Sequence, residues 1–271
     1  MKPMNKVNVR EGNCLDILPT MDEKLVNCCV TSPPYYGLRD YGSDEQIGQE
    51  ETPEAFVESL VKVFREVRRV LADDGTLWLN LGDSYGKGKQ LLGIPWRVAL
   101  ALQADGWYLR QDIIWSKPNP MPESVTDRCT KAHEYIFLLS KKPKYYYDAE
   151  AVKEDATTKF NGGGHKGRLG DEGWKGRTEN ADMNRNKRSV WEVPTGSYAA
   201  VHFATFPPDL IKPCILAGCP TGGTVLDPFG GSGTTGMVAL ELGRSAELIE
   251  LNPKYVEIIE GRTNVTPGLG F

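Results

Sequence analysis

Cys29-Val30-Thr31-Ser32-Pro33-Pro34-Tyr35-Tyr36 is the stretch that decides how this chain is read. An apolar run begins at Leu25 and ends at Thr31, which predicts a buried strand. Ser32-Pro33-Pro34-Tyr35 then stops it, because two prolines remove ladder donors and fix φ. The result is a stiff loop carrying a hydroxyl, the Pro33 carbonyl and an aromatic ring. In an open α/β sheet, the carboxyl end of a strand is where ligands bind. Two acceptors beside a flat ring suit a planar group bearing an NH2, such as the exocyclic amine of a nucleobase. A strand followed by a proline-rich turn with no chemistry fits the tetrapeptide equally.

A second stretch breaks the tie. Thr224-Val225-Leu226-Asp227-Pro228-Phe229-Gly230-Gly231-Ser232-Gly233-Thr234-Thr235 reads as a short strand, a glycine-rich turn and a helix start. Glycines admit a ligand close to the backbone, and a helix N-terminus favours an anion. Ala246 to Glu250 reads as a further strand ending in an acid, placed to bind ribose hydroxyls. The spacing is neither Gly-x-Gly-x-x-Gly nor a P-loop.

Together, the two stretches resemble the amino-group DNA methyltransferases. In that family Ser/Asp/Asn-Pro-Pro-Tyr/Phe is the catalytic loop, and Asp-Pro-Phe-x-Gly-Ser-Gly-Thr-Thr is the cofactor loop. The catalytic loop comes first here, as in the permuted β-class. The resemblance implies a Rossmann-like S-adenosylmethionine-dependent methyltransferase fold. That is an α/β architecture with a mostly parallel sheet flanked by helices and an inserted target-recognition region. It divides the chain into a catalytic half (1–140), an insert (141–194) and a cofactor-binding half (195–271).

The site residues implied follow motif by motif. Ser32, Pro33, Pro34 and Tyr35 are the catalytic set, with Ser32 Oγ and the Pro33 carbonyl gripping the amine and Tyr35 stacking on the base. Asp227, Pro228, Phe229, Gly231, Ser232, Gly233, Thr234 and Glu250 hold S-adenosyl-L-methionine. Phe206 and Pro207 belong to a His-x-Ala-x-Phe-Pro element beside its methionine end. Asp16, in the turn after the first strand, is assigned to the adenine amine of the cofactor, with helix capping as the plainer role. Asp83, in the loop Gly82 to Lys89, is a further cofactor-facing candidate.

From Lys141 to Val190 the apolar periodicity fades and basic residues outnumber acids. Lys166, Arg168, Lys175, Arg177, Arg185, Lys187 and Arg188, with Arg39 nearer the catalytic loop, are the expected contacts to double-stranded DNA. The same composition also suits a solvated loop. The local excess stands against a net charge of −4, which argues against non-specific coating of nucleic acid.

Composition narrows the remaining classes. The chain has 271 residues, enough for one α/β domain with a small insert. No apolar run is long enough to span a bilayer, and Met1 to Lys6 lacks a secretory h-region. A cytoplasmic protein of bacterial, archaeal or phage origin is expected, as a monomer or homodimer, with a restriction enzyme as a candidate companion. Six cysteines without paired Cys-x-x-Cys sets read as reduced, mostly buried thiols. Three scattered histidines suggest no metal site.

Ser32 at the head of the loop favours cytosine N4 as the target, with adenine N6 as the alternative. Two other classes remain: a methyltransferase of RNA or protein glutamine, and a non-catalytic DNA-binding module that keeps the fold.

Overall fold

Periodicity and capping set the elements. In the computed structural model, residues 5–38, 46–155, 184–196 and 206–263 are described. Strands β1 (Val7–Glu11), β2 (Val26–Thr31), β3 (Leu71–Leu81), β4 (Tyr108–Ser116) and β5 (His133–Ser140) alternate with helices α1 (Cys14–Ile17), α2 (Pro53–Val70) and α3 (Ile94–Ala104). One short pair, β6 (Glu154–Asp155) with β7 (Asn184–Arg185), precedes β8 (Val190–Glu192). Then come α4 (Pro208–Gly218), β9 (Thr224–Asp227), α5 (Thr234–Glu241), β10 (Ser245–Glu250) and α6 (Pro253–Thr263).

Helix α2 shows how locally the sequence specifies the structure. Thr52 Oγ1 accepts from Ala55 N at 3.1 Å, and Pro53 takes the first helical position. Phe56, Leu60, Val63, Phe64, Val67 and Val70 form its buried stripe. Full burial of each such side chain contributes about 1.5–3 kcal/mol over leaving it exposed.

The strands form an eight-stranded sheet in the order β1-β10-β9-β2-β3-β5-β4-β8. Only β5 runs antiparallel to its neighbours β3 and β4; every other pairing is parallel. Helices cover both faces, so strand residues alternate between two cores. Cys29, Leu77, Leu79 and Phe137 pack toward α1, α2 and α3. Cys28, Val30, Trp78 and Ile136 pack toward α4, α5 and α6. Burial on both faces explains why β2 reads as a continuous apolar run. The predicted fold class is therefore the observed one.

Three boundaries go beyond the sequence reading. Asp73-Asp74-Gly75 has the composition of a turn and forms an excursion inside β3. Pairing jumps from Val26↔Leu71 to Cys28↔Thr76, so residues 72–75 bulge outward opposite Asn27 alone. Tyr145 to Tyr147, readable as a strand end or its flank, take the second role: Tyr146 N donates to Asp74 O at 2.9 Å, and Tyr147 stacks on Trp78. Val190–Glu192, inside the expected insert, pairs with β4 and closes one edge of the main sheet. Residues 39, 166, 168, 175 and 177, with the stretch 202–205, lie outside the described residues.

Strands β2 and β9 are neighbours, and their carboxyl ends are tied by one buried group. Asp227 accepts from Thr31 Oγ1 at 2.6 Å and from Thr235 Oγ1 at 2.6 Å, with Phe229 N at 3.1 Å. All three side chains of this lock are buried. Burial pushes the Asp227 carboxyl up from its ordinary 3.8 to about 7, against those hydrogen bonds. A raised carboxyl pKa stabilises the fold below the unfolded value, and that contribution is lost as pH rises through the folded value. Asp227→Asn keeps a side chain able to meet both hydroxyls but cannot ionise. Thermal unfolding of the cofactor-free protein from pH 4 to 8 should therefore show wild type losing stability relative to Asp227→Asn as pH rises. Parallel curves across that range would refute the raised pKa.

Candidate active site

The cavity at the carboxyl ends of β2, β9 and β10 is about 610 Å³ in volume. It lies where β9 and β2 meet and the strand order changes direction, the expected ligand crevice of such a sheet. Both sequence motifs reach it. Ser32 and Pro34 line one part; Asp227, Pro228, Phe229, Gly231, Ser232 and Thr234 line another, with Glu250 and Phe206 between other walls.

The glycine-rich turn takes its shape from backbone that side chains rarely adopt. Gly231 has φ +52° and Gly233 has φ +82°, and a Cβ on Gly233 would meet Ile259 Cγ1 at 3.0 Å. The turn is braced from below and behind. Glu250 Oε2 accepts from Gly231 N at 2.7 Å, and its Oε1 accepts from Asn252 N at 2.8 Å. Arg262 Nη1 donates to Ser232 Oγ at 2.9 Å. Burial raises the Glu250 pKa. A buried acid with spare lone pairs at the end of β10 suits ligand hydroxyls. The positive-φ cradle, the acid and the adjoining apolar Phe229 and Ile249 fit an adenosyl group with a methionine tail.

Several expected residues lie elsewhere. Asp16 is exposed on α1 and does not line the cavity; from that turn Gly12, Asn13 and Cys14 do. The helix carries Asp16 outward, and Asn13 is the cap, its Oδ1 accepting from Leu15 N at 2.9 Å. Pro207 is buried beside Phe206 at the start of α4, off the cavity wall. Asp83 is consumed by structure: it accepts from Gly93 N at 3.1 Å and Ile94 N at 3.0 Å, capping α3. Arg185 and Arg188 both pair with Glu154, at 2.9 and 2.7 Å, and Lys187 lies over the Trp191 ring.

Beside the cavity, the proline loop meets side chains that sequence reading missed. Tyr35 packs its ring on Gly82, where an added Cβ would come within 2.5 Å of Tyr35 Cε2. Its hydroxyl donates to Glu134 Oε2 at 2.6 Å and accepts from Asn80 Nδ2 at 2.7 Å. Asn80 Nδ2 also lies 3.2 Å from Ser32 Oγ, and Ser32 Oγ lies 3.5 Å from the Tyr35 hydroxyl. Lys117 Nζ donates to the other oxygen of Glu134. Burial first, then the Glu134 charge, hold the Tyr35 phenol well above its ordinary pKa, so it stays protonated. One signal was available. Asn80 sits alone in the apolar run Leu77-Trp78-Leu79-Asn80-Leu81, and a polar side chain in a strand buried on both faces needs a reason.

Among the described residues, no group of three or more His, Cys, Asp or Glu side chains could hold a metal ion. No described helix is long and apolar enough to cross a membrane.

Comparison with known proteins agrees with this geometry. Residues 26–261 match the family described as DNA methylase, the N6/N4 group. The Type II methyltransferase M.Cfr9I of Citrobacter freundii is 47% identical over 287 residues, covering 96% of this chain and 88% of that protein. Among solved structures, the cytosine-N4-specific PvuII DNA methyltransferase superposes with a TM-score of 0.74 at 20% identity, covering 98% of this chain and 89% of that one. The M1.HpyAVI–SAM complex superposes with a TM-score of 0.62 at 17% identity, covering 96% and 100%. The chain belongs to the DNA methylase family of N6/N4 amino-group methyltransferases, enzymes that act on DNA with S-adenosyl-L-methionine as methyl donor.

Proposed function

We propose that this chain methylates the N4 amine of cytosine at a specific site in double-stranded DNA, with the target base turned out of the duplex. Ser32 is the observation that carries the reading. A neutral hydroxyl heads the loop, and its surroundings make it an acceptor toward a substrate. Asn80 occupies one lone pair of Ser32 Oγ, and the nearest acceptor for the Ser32 proton is the Tyr35 hydroxyl. One lone pair is left for an amine N–H.

The amine of cytosine is a weak nucleophile because its lone pair delocalises into the ring. Hydrogen bonds from its two N–H groups to Ser32 Oγ and the Pro33 carbonyl favour a more tetrahedral nitrogen. They also place negative partial charge where positive charge develops. Tyr35 offers a ring face for the base, and stacking of about 1–3 kcal/mol offsets part of the unstacking cost. The bound cofactor supplies an electrophilic methyl group. Glu250 and the Gly231–Thr234 turn would hold that cofactor, while the Thr31–Asp227 bond fixes its loop against the catalytic loop.

The Type II name of the M.Cfr9I relative supports a restriction–modification setting, with a cognate restriction enzyme as companion. Methylation of a cell's own DNA supports a cytoplasmic location for the protein. The basic segment around residues 159–188 is the proposed target reader, and Arg185 and Arg188 would exchange Glu154 for phosphates on binding DNA.

Nucleoside mass spectrometry on plasmid DNA from a methylation-deficient host expressing the chain should find N4-methylcytosine above an empty-vector control. N6-methyladenine in its place would overturn the base assignment. Neither mark would move the search to RNA and protein glutamine. Gly82→Ala should displace the Tyr35 ring and remove most methyl transfer while S-adenosylmethionine affinity holds; an unaffected turnover rate would sink the ring's role. Glu250→Ala should weaken cofactor affinity in calorimetry about 10- to 100-fold, the loss expected for hydrogen bonds to a charged group. Unchanged affinity would place the cofactor elsewhere.

A further inference from the structure

Glu134 has no role in the motifs, yet three groups around the catalytic loop converge on it. Tyr35 Oη donates to Oε2 at 2.6 Å, Asn80 Nδ2 approaches the same oxygen at 3.2 Å, and Lys117 Nζ donates to Oε1. Its side chain is 14% exposed and that of Lys117 17%, so the pair is largely shielded from water. Lys117 also lies over the Trp115 ring at 4.3 Å, which fixes its direction. Glu134 comes from β5, Asn80 from β3, and Lys117 from the end of β4. Three neighbouring strands thus deliver their polar side chains to one tyrosine hydroxyl.

If Tyr35 only offered a flat ring, its hydroxyl would need no such investment. The hydrogen bonds give it a direction. The Tyr35 hydroxyl has one proton and two lone pairs. Its proton goes to Glu134, one lone pair takes Asn80, and the other faces Ser32 Oγ at 3.5 Å. The Ser32 proton is thereby drawn toward Tyr35 and away from the substrate side. A free serine hydroxyl can either donate or accept; this one is biased to accept.

We propose that Glu134 is a positioning residue for amine methylation: through the Tyr35 hydroxyl it fixes the ring and turns Ser32 into an acceptor for the substrate amine. Lys117 holds Glu134 in place through their ion pair, and Asn80 orders the Ser32 and Tyr35 hydroxyls together. The inference rests on the reading that Ser32 and Tyr35 grip the amine, and it holds whether that amine belongs to cytosine or adenine.

The test is a mutant cycle in single-turnover methylation of duplex DNA, with the product nucleoside identified in the same assay. Tyr35→Phe keeps the ring and deletes the hydroxyl. It should lower the rate of methyl transfer roughly tenfold to hundredfold, the cost of a small misplacement, with S-adenosylmethionine affinity unchanged. Glu134→Ala should cost as much, and Glu134→Gln less, because the amide oxygen still accepts from Tyr35. In the Tyr35→Phe background the Glu134 substitutions should have little further effect. Where Glu134→Ala does not fold because Lys117 is left unpaired, Tyr35→Phe and Glu134→Gln decide the matter. A Tyr35→Phe enzyme at wild-type rate, or independent, multiplying losses, overturns the proposal. Adenine in place of cytosine as product overturns only the base assignment, and a wild type inactive on DNA overturns both.

Discussion

The structure depends on a carboxylate buried between two hydroxyls. Asp227 closes β9 and Thr31 closes β2, and their 2.6 Å bond joins the cofactor loop to the catalytic loop. Thr235, on the first turn of α5, completes the lock from the other side. The arrangement costs something: burial raises the Asp227 pKa from 3.8 to about 7, so ionisation is harder than for an exposed aspartate. A hydrophobic trio of similar volume would pack these strand ends without that cost. What it would not provide is a fixed distance between two loops that must meet across one ligand. The two partners of the lock lie 196 positions apart in sequence, so it also sets which strands adjoin at the switch point.

That separation reflects the permuted order. Strands β9 and β10 come last in sequence but lie in the middle of the sheet, flanked by β1 on one side and β2 on the other. The first strand therefore closes an edge that the last helical unit opens. Glu247, at the β1–β10 pairing, accepts from Asn8 Nδ2 at 2.5 Å and pairs with Arg10, which fastens this seam between the first and last strands. The catalytic and cofactor halves are halves of sequence only. In space they share one sheet, two cores and one cavity.

The legible part of the site was the part written in consecutive residues. Ser32-Pro33-Pro34-Tyr35 and Asp227 to Thr235 each encode a strand end, a turn and its ligand-facing groups, so local chemistry suffices to place them. Helix α2 was legible for the same reason, through its cap, its proline and its apolar stripe. Asp16 was misplaced because a helix of four residues has no periodicity to say which side faces the ligand; the cap, Asn13, points inward instead. Asp83 was misread because a carboxylate in a glycine-rich loop can serve a ligand or a helix start, and only the proximity of Gly93 and Ile94 decides between them. β8 was hidden because three residues of strand are set by their partner β4, not by their own pattern.

Glu134 and Lys117 were illegible for a deeper reason. Glu134 lies on β5 and Asn80 on β3, while Lys117 directly follows β4, and their meeting depends on the order β3-β5-β4, in which one strand is antiparallel. The antiparallel β5 matters here. Its first residues, not its last, arrive at the carboxyl ends of β3 and β4, so Glu134 enters the site from the start of its strand. In a wholly parallel sheet the residue opposite Trp115 would come from a strand's end and would be followed by a loop free to move. With β5 reversed, Glu134 is clamped between Asn80 on one side and Lys117 on the other, inside the ladder itself. A catalytic loop stiffened by two prolines then has a rigid anchor for its aromatic ring. The reversal of a single strand thus supplies the fixed carboxylate that the loop's own sequence lacks.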